Sequence, residues 1–160
     1  MRFDKLTIKA QDAFQAAQEA ASRYQHQAIE PEHLLTALLE QSGSLSRSLV
    51  EKAGANANDI LGQLDEELKK QAKVSGASTY GTNLGSRLTT LFNNAFSIGE
   101  RLQDEYISTE HLLLATLEDS GPAGRTLKAA GLTKEALEAA VLEIRAGRKI
   151  TDPNAESNFQ

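Results

Sequence analysis

The chain contains one stretch twice, and this internal duplication constrains its fold more than any other feature of the sequence. Residues 29–43 align with residues 107–121 when the sequence is shifted by 78 places, and ten of the fifteen aligned positions are identical. The same shift pairs Phe14 with Phe92. Two copies predict a pseudo-twofold domain, because a solenoid needs three or more units to bury a continuous core.

Apolar residues recur at spacings of three and four in four segments of each copy, a pattern that is typical of amphipathic helices. The sequence therefore predicts an all-α fold: a pseudo-twofold bundle of eight helices built from two tandem four-helix repeats. Thr7, Asn56, Ser108 and Thr133 stand at predicted helix starts, where their side chains can cap a first-turn amide. Pro31 marks another start, since proline loses no needed hydrogen bond there.

The helices predict a single domain over residues 1–147. Repeat one spans about 1–71, and repeat two spans about 84–147. Between them, residues 72–83 lose the apolar periodicity and are interpreted as a loop. Residues 148–160 are polar and contain Pro153, so we expect the start of a flexible linker, with more protein to follow.

Composition excludes several classes of function. A formal net charge of −5 argues against a nucleic-acid partner, whose phosphates need clustered Lys and Arg. A helix-turn-helix DNA binder is disfavoured for the same reason. The chain has no cysteine, no signal-peptide pattern at its start and no apolar run of membrane-spanning length. We therefore expect a cytoplasmic protein with no membrane partner.

The sequence offers no convincing catalytic or metal site. His33 and His111 occupy equivalent places in the two copies, but no ligand spacing such as His-Glu-x-x-His accompanies them. The acidic pair Glu30 and Glu32 is explained by a helix start, where carboxylates complement the helix dipole. No Walker loop and no Gly-x-Ser-x-Gly motif occurs. We expect that this chain is not an enzyme and carries no cofactor or metal.

A binding surface is the remaining candidate for function. Phe92 and Phe96 lie four residues apart, beside the main apolar stripe of the fifth predicted helix. If both are exposed, they form an apolar strip next to the second copy of the motif. A wide apolar stripe would instead bury both side chains. The sequence leaves these two alternatives open.

The doubled motif Ile-x-x-Glu-His-Leu-Leu-x-Ala, each copy followed by Ala-Gly, resembles the Clp N-terminal domain, a pseudo-twofold bundle of eight helices. The resemblance covers residues 1 to about 147. The opening Met1 to Thr7 and the ending with Ile150-Thr151-Asp152 and Phe159-Gln160 look closest to the ClpB disaggregase branch of this family.

This resemblance implies a substrate-binding module of a stress-response chaperone. Such a module sits at the front of a homohexameric AAA+ ring, which threads unfolded or aggregated polypeptide through its pore and acts with the DnaK system in protein refolding. The ATP and Mg sites would lie in modules beyond Gln160. The alternative is an adaptor-docking domain, as in the protease-linked ClpA and ClpC relatives.

The resemblance also carries over candidate substrate residues. Thr7, Asp104 and Glu110 match a threonine and two acidic residues that the family uses in substrate handling. The family's apolar groove, between helices of the second copy, would fall on Leu88, Leu91, Phe92, His111 and Leu112. His111 stands where some members carry leucine. Acidic residues at the rim would favour clients with basic residues beside apolar ones.

Structural roles exist for two of the three polar candidates. Thr7 can act as a helix cap, worth about 1 kcal/mol. Glu110 at a helix start can complement the dipole, worth roughly 0.3–1 kcal/mol. Asp104 lies in a connecting turn beside Glu105, and the sequence indicates no structural demand for it. Asp104 is therefore the strongest functional candidate of the three.

Overall fold

The computed structural model describes residues 2–74, 80–81 and 83–159, and these ranges contain eight α-helices. The helices are α1 Ile8–Arg23, α2 Pro31–Glu40, α3 Leu45–Lys52, α4 Ala57–Lys70, α5 Ser86–Arg101, α6 Thr109–Thr116, α7 Pro122–Ala129 and α8 Lys134–Arg145. The predicted all-α fold is confirmed. No helix in these ranges has both the length and the apolar character needed to cross a membrane.

Helix starts follow local side-chain chemistry. Thr7, Asn56 and Thr133 each accept a hydrogen bond from the backbone N–H three residues further on, at 3.2, 3.0 and 3.1 Å. Each bond satisfies one of the amides that a helix leaves free in its first turn. Pro31 is the first residue of α2, and Ser108 immediately precedes α6. The predicted starts are confirmed at all five positions.

The two copies interlock through reciprocal backbone pairing. Two short strands, β1 Ala28–Ile29 and β2 Asn83–Leu84, pair in parallel and place Ile29 opposite Leu84. An isolated parallel bridge joins Leu6 to Ile107. Since Ile107 lies 78 residues after Ile29 and Leu84 lies 78 residues after Leu6, the two pairings are equivalent under the duplication. The segment before each motif helix therefore pairs with the segment before the first helix of the other copy.

The doubled Leu-Leu of the motif serves two separate parts of the core. Leu34 and Leu112 pack with the alanines of α1 and the apolar side of α5. Leu35 and Leu113 pack in the second cluster, which joins α2, α3 and α4 to α6, α7 and α8. All four side chains are fully buried, and burial of one leucine contributes roughly 1.5–3 kcal/mol. The motif helices α2 and α6 are thus central elements with apolar neighbours on both sides.

Two predicted connections differ from the structure or fall partly outside it. In the predicted loop 72–83, residues 75–79 and 82 lie outside the described residues, and Asn83 belongs to β2. The predicted flexible linker after residue 147 is wrong for the part that the structure describes. Ile150, Ala155 and Phe159 are 0%, 1% and 9% exposed in the core, and residues Ala155–Phe159 form a 3-10 turn. Only three apolar residues anchor the segment, so its polar composition concealed its packing.

Candidate functional site

An apolar cleft of about 490 Å³ opens between α5 and two chain segments that lie beside it. One segment is the N-terminal stretch that contains Arg2 and Lys5, and the other is the turn 104–107 before α6. The residues that line the cleft are Arg2, Lys5, Leu84, Thr89, Phe92, Asn93, Phe96, Glu100, Asp104, Glu105 and Ile107. Nine of these eleven residues belong to the second copy, where the family resemblance placed the groove, and the N-terminal segment of the first copy completes the cleft.

Aromatic side chains support the floor of the apolar cleft. Phe92 is only 1% exposed because Phe14 packs against it edge-on, with ring centroids 5.9 Å apart, and Phe3 in turn packs on Phe14 at 4.9 Å. Phe96, one turn further along α5, remains half-buried, and Leu84 is 38% exposed. Of the two phenylalanines, Phe92 belongs to the core and Phe96 is the one that a ligand can reach.

Charges of both signs surround this floor. Arg2 and Lys5 come from the N-terminal segment, and Glu100 and Glu105 come from the end of α5 and the turn that follows. Arg2 is paired with exposed Asp4 at 3.2 Å. The rim of the cleft therefore carries both signs of charge. The two acidic residues that the sequence placed there, Asp104 and Glu110, do not contribute to it, because their side chains are fully buried. Such a rim suits a ligand that carries both charge signs around an apolar segment.

The structure brings only two of the eight predicted substrate residues to the apolar cleft, namely Phe92 and Asp104. Leu91 lines a second, smaller cleft on another side of α5, next to Arg87 and Asp119. The remaining five are fully buried side chains of the core or of polar clusters: Thr7, Leu88, Glu110, His111 and Leu112. A ligand that binds this conformation reaches the cleft surface and not these five side chains.

His111 completes the N-terminal cap of α6 and connects this helix to the preceding turn. Its Nδ1 accepts from the backbone N–H of Ser108 at 2.8 Å, so the ring proton lies on Nε2. Nε2 then donates to Oδ2 of Asp104 at 2.7 Å. His111 is therefore a structural bridge within the core, and both of its ring nitrogens take part in hydrogen bonds. No cluster of three or more His, Cys, Asp or Glu with metal-binding geometry occurs in the described ranges.

Asp104 has a clear structural demand, contrary to the expectation from the sequence. Besides His111, it accepts from Nη1 of Arg145 at 2.8 Å and from the backbone N–H of Ile150 at 2.9 Å. Burial opposes its ionisation, but the hydrogen bonds from His111 and Ile150 and the charge of Arg145 outweigh this and hold the pKa of Asp104 below its usual value. The carboxylate thus ties the turn to α8 and to the segment after it.

Glu110 depends on the same arginine. Its Oε2 accepts from Nε of Arg145 at 3.1 Å, and both side chains are almost completely buried. Its other oxygen, Oε1, has no hydrogen-bond partner within the described part of the chain. Arg145 therefore compensates two buried carboxylates from one position at the end of α8. In sequence, an arginine there is indistinguishable from one that complements the helix dipole.

Thr7 has a second partner in addition to its predicted capping bond. Its hydroxyl donates to Oε2 of Glu156 at 2.6 Å, and the same oxygen accepts from the backbone N–H of Thr109 at 3.0 Å. Glu156 is 1% exposed. Burial raises the pKa of Glu156 above its usual value, although the bonds from Thr7 and Thr109 act in the opposite direction. One carboxylate thereby links the starts of α1 and α6.

The first copy has the same motif residues with different partners. Glu32, equivalent to Glu110, pairs with Nη2 of Arg87 at 3.0 Å, and Nη1 of Arg87 also reaches Asp119 at 2.8 Å. His33, equivalent to His111, places Nε2 at 2.8 Å from Nδ1 of His26. Burial, with smaller effects from nearby positive charges, lowers the pKa of His33 to about 3. Duplication has kept the carboxylate, the imidazole and the bond that Nδ1 accepts from the backbone N–H three residues earlier, and it has changed the partners of the carboxylate and of Nε2.

Comparison with known proteins identifies the same domain. The family profile described as the Clp repeat (R) N-terminal domain matches residues 5–130. The chain is 43% identical over 156 residues to chaperone protein ClpB of Vibrio cholerae and 37% identical over 159 residues to ClpB of Porphyromonas gingivalis. These matches cover 98% and 99% of this chain, but only 18% of the length of each relative.

Solved structures with the same fold come from several kinds of Clp protein. The Hsp104 N-terminal domain from Candida albicans superposes with a TM-score of 0.82 at 22% identity, over 94% of this chain and 98% of that one. The N-terminal domain of ClpD, a caseinolytic protease associated chaperone of Arabidopsis thaliana, has a TM-score of 0.67 at 22% identity, with 92% and 98% coverage. The N-domain of ClpV from Vibrio cholerae gives 0.71 at 17%, with 89% and 86% coverage. At these identities the likeness concerns the fold.

Proposed function

The chain belongs to the family of Clp repeat N-terminal domains, and from this premise we propose that it binds unfolded or aggregated polypeptide for an ATP-driven protein disaggregase. The observation that supports this proposal is the apolar cleft between α5 and the turn 104–107. An apolar floor that is open to solvent inside a charged rim suits an exposed apolar segment of a client chain.

The shape of the cleft favours weak and promiscuous binding. Its reachable apolar side chains are few, chiefly Leu84 and Phe96. So small a contact buries little area, and the conformational entropy that a flexible client loses on binding lowers the affinity further. Weak binding fits a domain that must release its client to a pore. The mixed charges of the rim raise the association rate more than they raise the affinity.

The setting of the domain is part of the same proposal. The ClpB relatives are about five times longer than the matched region, since that region covers 18% of their length. We propose that this domain serves a homohexameric AAA+ ring that binds ATP and Mg in other modules, acts with a DnaK-type system and is located in the cytoplasm. The domain itself supplies client contacts and no catalysis.

A second candidate is docking of a folded adaptor, and the fold of ClpD gives it specific support. That protein is described as protease-associated and shares this domain architecture. The two functions differ in specificity: an adaptor forms one complex of fixed stoichiometry, whereas unfolded clients compete with each other for the same surface. Competition between two unrelated unfolded proteins therefore separates them.

Titration of the chain with carboxymethylated α-lactalbumin, a permanently unfolded protein, tests the proposal through amide chemical shifts. We expect shifts around Leu84, Asn93 and Phe96. The Phe96→Asp variant should weaken binding at least tenfold, because it places a charge on the floor of the cleft. Leu142→Asp is the matched control, since Leu142 is 52% exposed on α8 and does not line the cleft.

Phe92→Asp is a poor test, because Phe92 is buried against Phe14 and its substitution should unfold the domain. If Phe96→Asp and Leu142→Asp bind the client equally well, the cleft is not the site. Shifts confined to other surfaces would lead to the same conclusion. A single saturable complex with a folded partner, unaffected by unfolded competitor, would favour adaptor docking.

A further inference from the structure

The C-terminal segment, residues 148–159, contacts the domain behind one wall of the apolar cleft. The carbonyl oxygen of Pro153 accepts from the backbone N–H of Ile8 at 2.7 Å. The carbonyl oxygen of Ile150 accepts from the backbone N–H of Glu105 at 2.8 Å. These bonds attach one segment to both the start of α1 and the turn before α6.

Those two attachment points form that wall. Lys5 and Ile107 both line the cleft, and they are paired, since the N–H of Ile107 donates to the carbonyl of Lys5 at 2.8 Å. The N–H of Thr7 returns a bond to the carbonyl of Ile107 at 2.9 Å. α5 provides the opposite wall. The C-terminal segment therefore braces one wall from behind, and it also reaches the end of α5, where Nζ of Lys149 donates to the carbonyl oxygen of Leu102 at 3.0 Å.

Glu156 is the polar anchor of the segment, and it is incompletely paired. Its Oε2 receives both bonds, from Thr7 and Thr109, while Oε1 is buried with no hydrogen-bond partner among the described residues. The carboxylate of Glu110 adds a repulsion of like charge. A buried carboxylate with one unpaired oxygen is a costly contact compared with a fully paired one.

A left-handed turn at the end of α8 joins the helix to the segment. Ala146 and Gly147 both adopt left-handed conformations, with φ of 49° and 86°. Residues 151–154 are exposed, so the packed contacts concentrate at Ile150 and at residues Ala155–Phe159. An element whose buried side chains lie near its two ends, with exposed residues and one backbone hydrogen bond from Ile8 to Pro153 between them, can open locally without global unfolding.

We propose that residues 148–159 are a releasable latch that positions one wall of the cleft, and that Glu156 is the positioning residue whose buried charge keeps the latch weak. Thr7 and Asp104 then act by holding the latch and not by contact with a client: Thr7 binds Glu156, and Asp104 binds the backbone of Ile150. Because coupling between sites is reciprocal, occupation of the cleft and docking of the latch favour each other.

Hydrogen exchange on three variants of the chain tests the latch. Glu156→Gln removes the charge and keeps an oxygen that can accept from Thr7 and Thr109, so the latch should tighten. Glu156→Ala removes the anchor, so the latch should open more often. Glu66→Gln, on the exposed face of α4, is the matched control for loss of one negative charge.

The reporters are the backbone amides of Ile8 and Glu105. They donate to the carbonyl oxygens of Pro153 and Ile150, which lie three and six residues before Glu156. We expect roughly tenfold faster exchange at both in Glu156→Ala, and slower exchange in Glu156→Gln, with amides in the middle of α2 unchanged. Faster exchange in both variants, unchanged reporters, or acceleration throughout the core would each overturn the latch.

Affinity for carboxymethylated α-lactalbumin tests the link to the cleft, and this last readout alone depends on the proposed function. A braced wall is preorganised, so Glu156→Gln should bind the client more tightly and Glu156→Ala more weakly. Equal affinities with altered exchange would overturn the positioning role. If no variant binds the client, the proposed function fails, while the latch is still judged by exchange.

Discussion

Arg145 offers the sharpest test of how the second motif is held, because it is the cation for two buried carboxylates. Arg145 is 2% exposed, and Asp104 and Glu110 have no exposed side-chain surface. In Arg145→Met, Asp104 keeps its bonds from His111 and Ile150, but Glu110 loses its one hydrogen bond among the described residues. Breaking such a pair costs about 3–5 kcal/mol. Most of that cost should come from Glu110.

The double variant Arg145→Met with Glu110→Met isolates this effect. It removes the uncompensated charge, so it should be more stable than Arg145→Met alone by about 2–4 kcal/mol. Arg87→Met is the matched control in the first copy. Glu32 and Asp119 are buried as well, but each keeps a hydrogen bond, from Gln71 and from the N–H of Gly124, so the loss of Arg87 should cost only about 1–3 kcal/mol.

Urea unfolding at neutral pH, followed by circular dichroism, measures these three variants and the single variant Glu110→Met, which completes the cycle. A cost for Arg145→Met below about 1 kcal/mol would refute the reasoning, since breaking a buried ion pair is far more expensive. Strict additivity in the double variant would also refute it, because the stated mechanism requires that the two sites interact.

Three further predictions concern local features. His33 has a pKa of about 3 in the folded chain against an ordinary 6.5, so its contribution to stability is complete above pH 6.5 and is lost by about 1.4 kcal/mol per pH unit as the pH falls from 6.5 to about 3. Over this window the free energy of unfolding, measured in urea, should fall less steeply with pH in His33→Gln. Thr7→Ala should cost about 2 kcal/mol and Thr133→Ala about 1 kcal/mol by urea unfolding, because Thr133 is an exposed cap without a second partner among the described residues. Gly124→Ala should destabilise, since its Cβ would lie 1.9 Å from the backbone carbonyl oxygen of Asp119, whereas Gly62→Ala meets open space on α4 and should raise the melting temperature.

Each of these has a clear contrary result. An unchanged pH slope in His33→Gln would show that the imidazole pair does not control acid stability. Equal losses in the two threonine variants would show that the second bond of Thr7 contributes nothing. A stable Gly124→Ala would mean that the backbone at Asp119 shifts without cost.

The two copies show how duplication preserves chemistry while changing its partners. Glu32 takes its cation from α5 of the other copy, whereas Glu110 takes its cation from α8 of its own copy. The residue 78 places before Asp104 is His26, so His33 faces an imidazole where His111 faces a carboxylate. The second copy therefore holds its turn 104–107 through charge, and that turn is the one that borders the cleft.

The sequence by itself determined the helices, their starts and the relation between the copies. These features depend on local chemistry: apolar spacing sets the buried face of a helix, and the side chain of Thr7 or Asn56 caps an amide only three residues away. A shift of 78 places is likewise readable without any coordinates. Fold class and architecture followed from these alone.

Only the tertiary structure decided where the cleft lies and which residues reach it. Periodicity places Phe92 and Phe96 on the same helix, but Phe14 covers one of them and leaves the other accessible. In the same way, Asp104 and Glu156 have no visible partners in the sequence. In the fold, Arg145 binds Asp104 and Thr7 binds Glu156, although each partner is distant in the chain. A helical stripe shows which face is apolar and does not show what packs on it, because that depends on contacts between segments far apart in the chain.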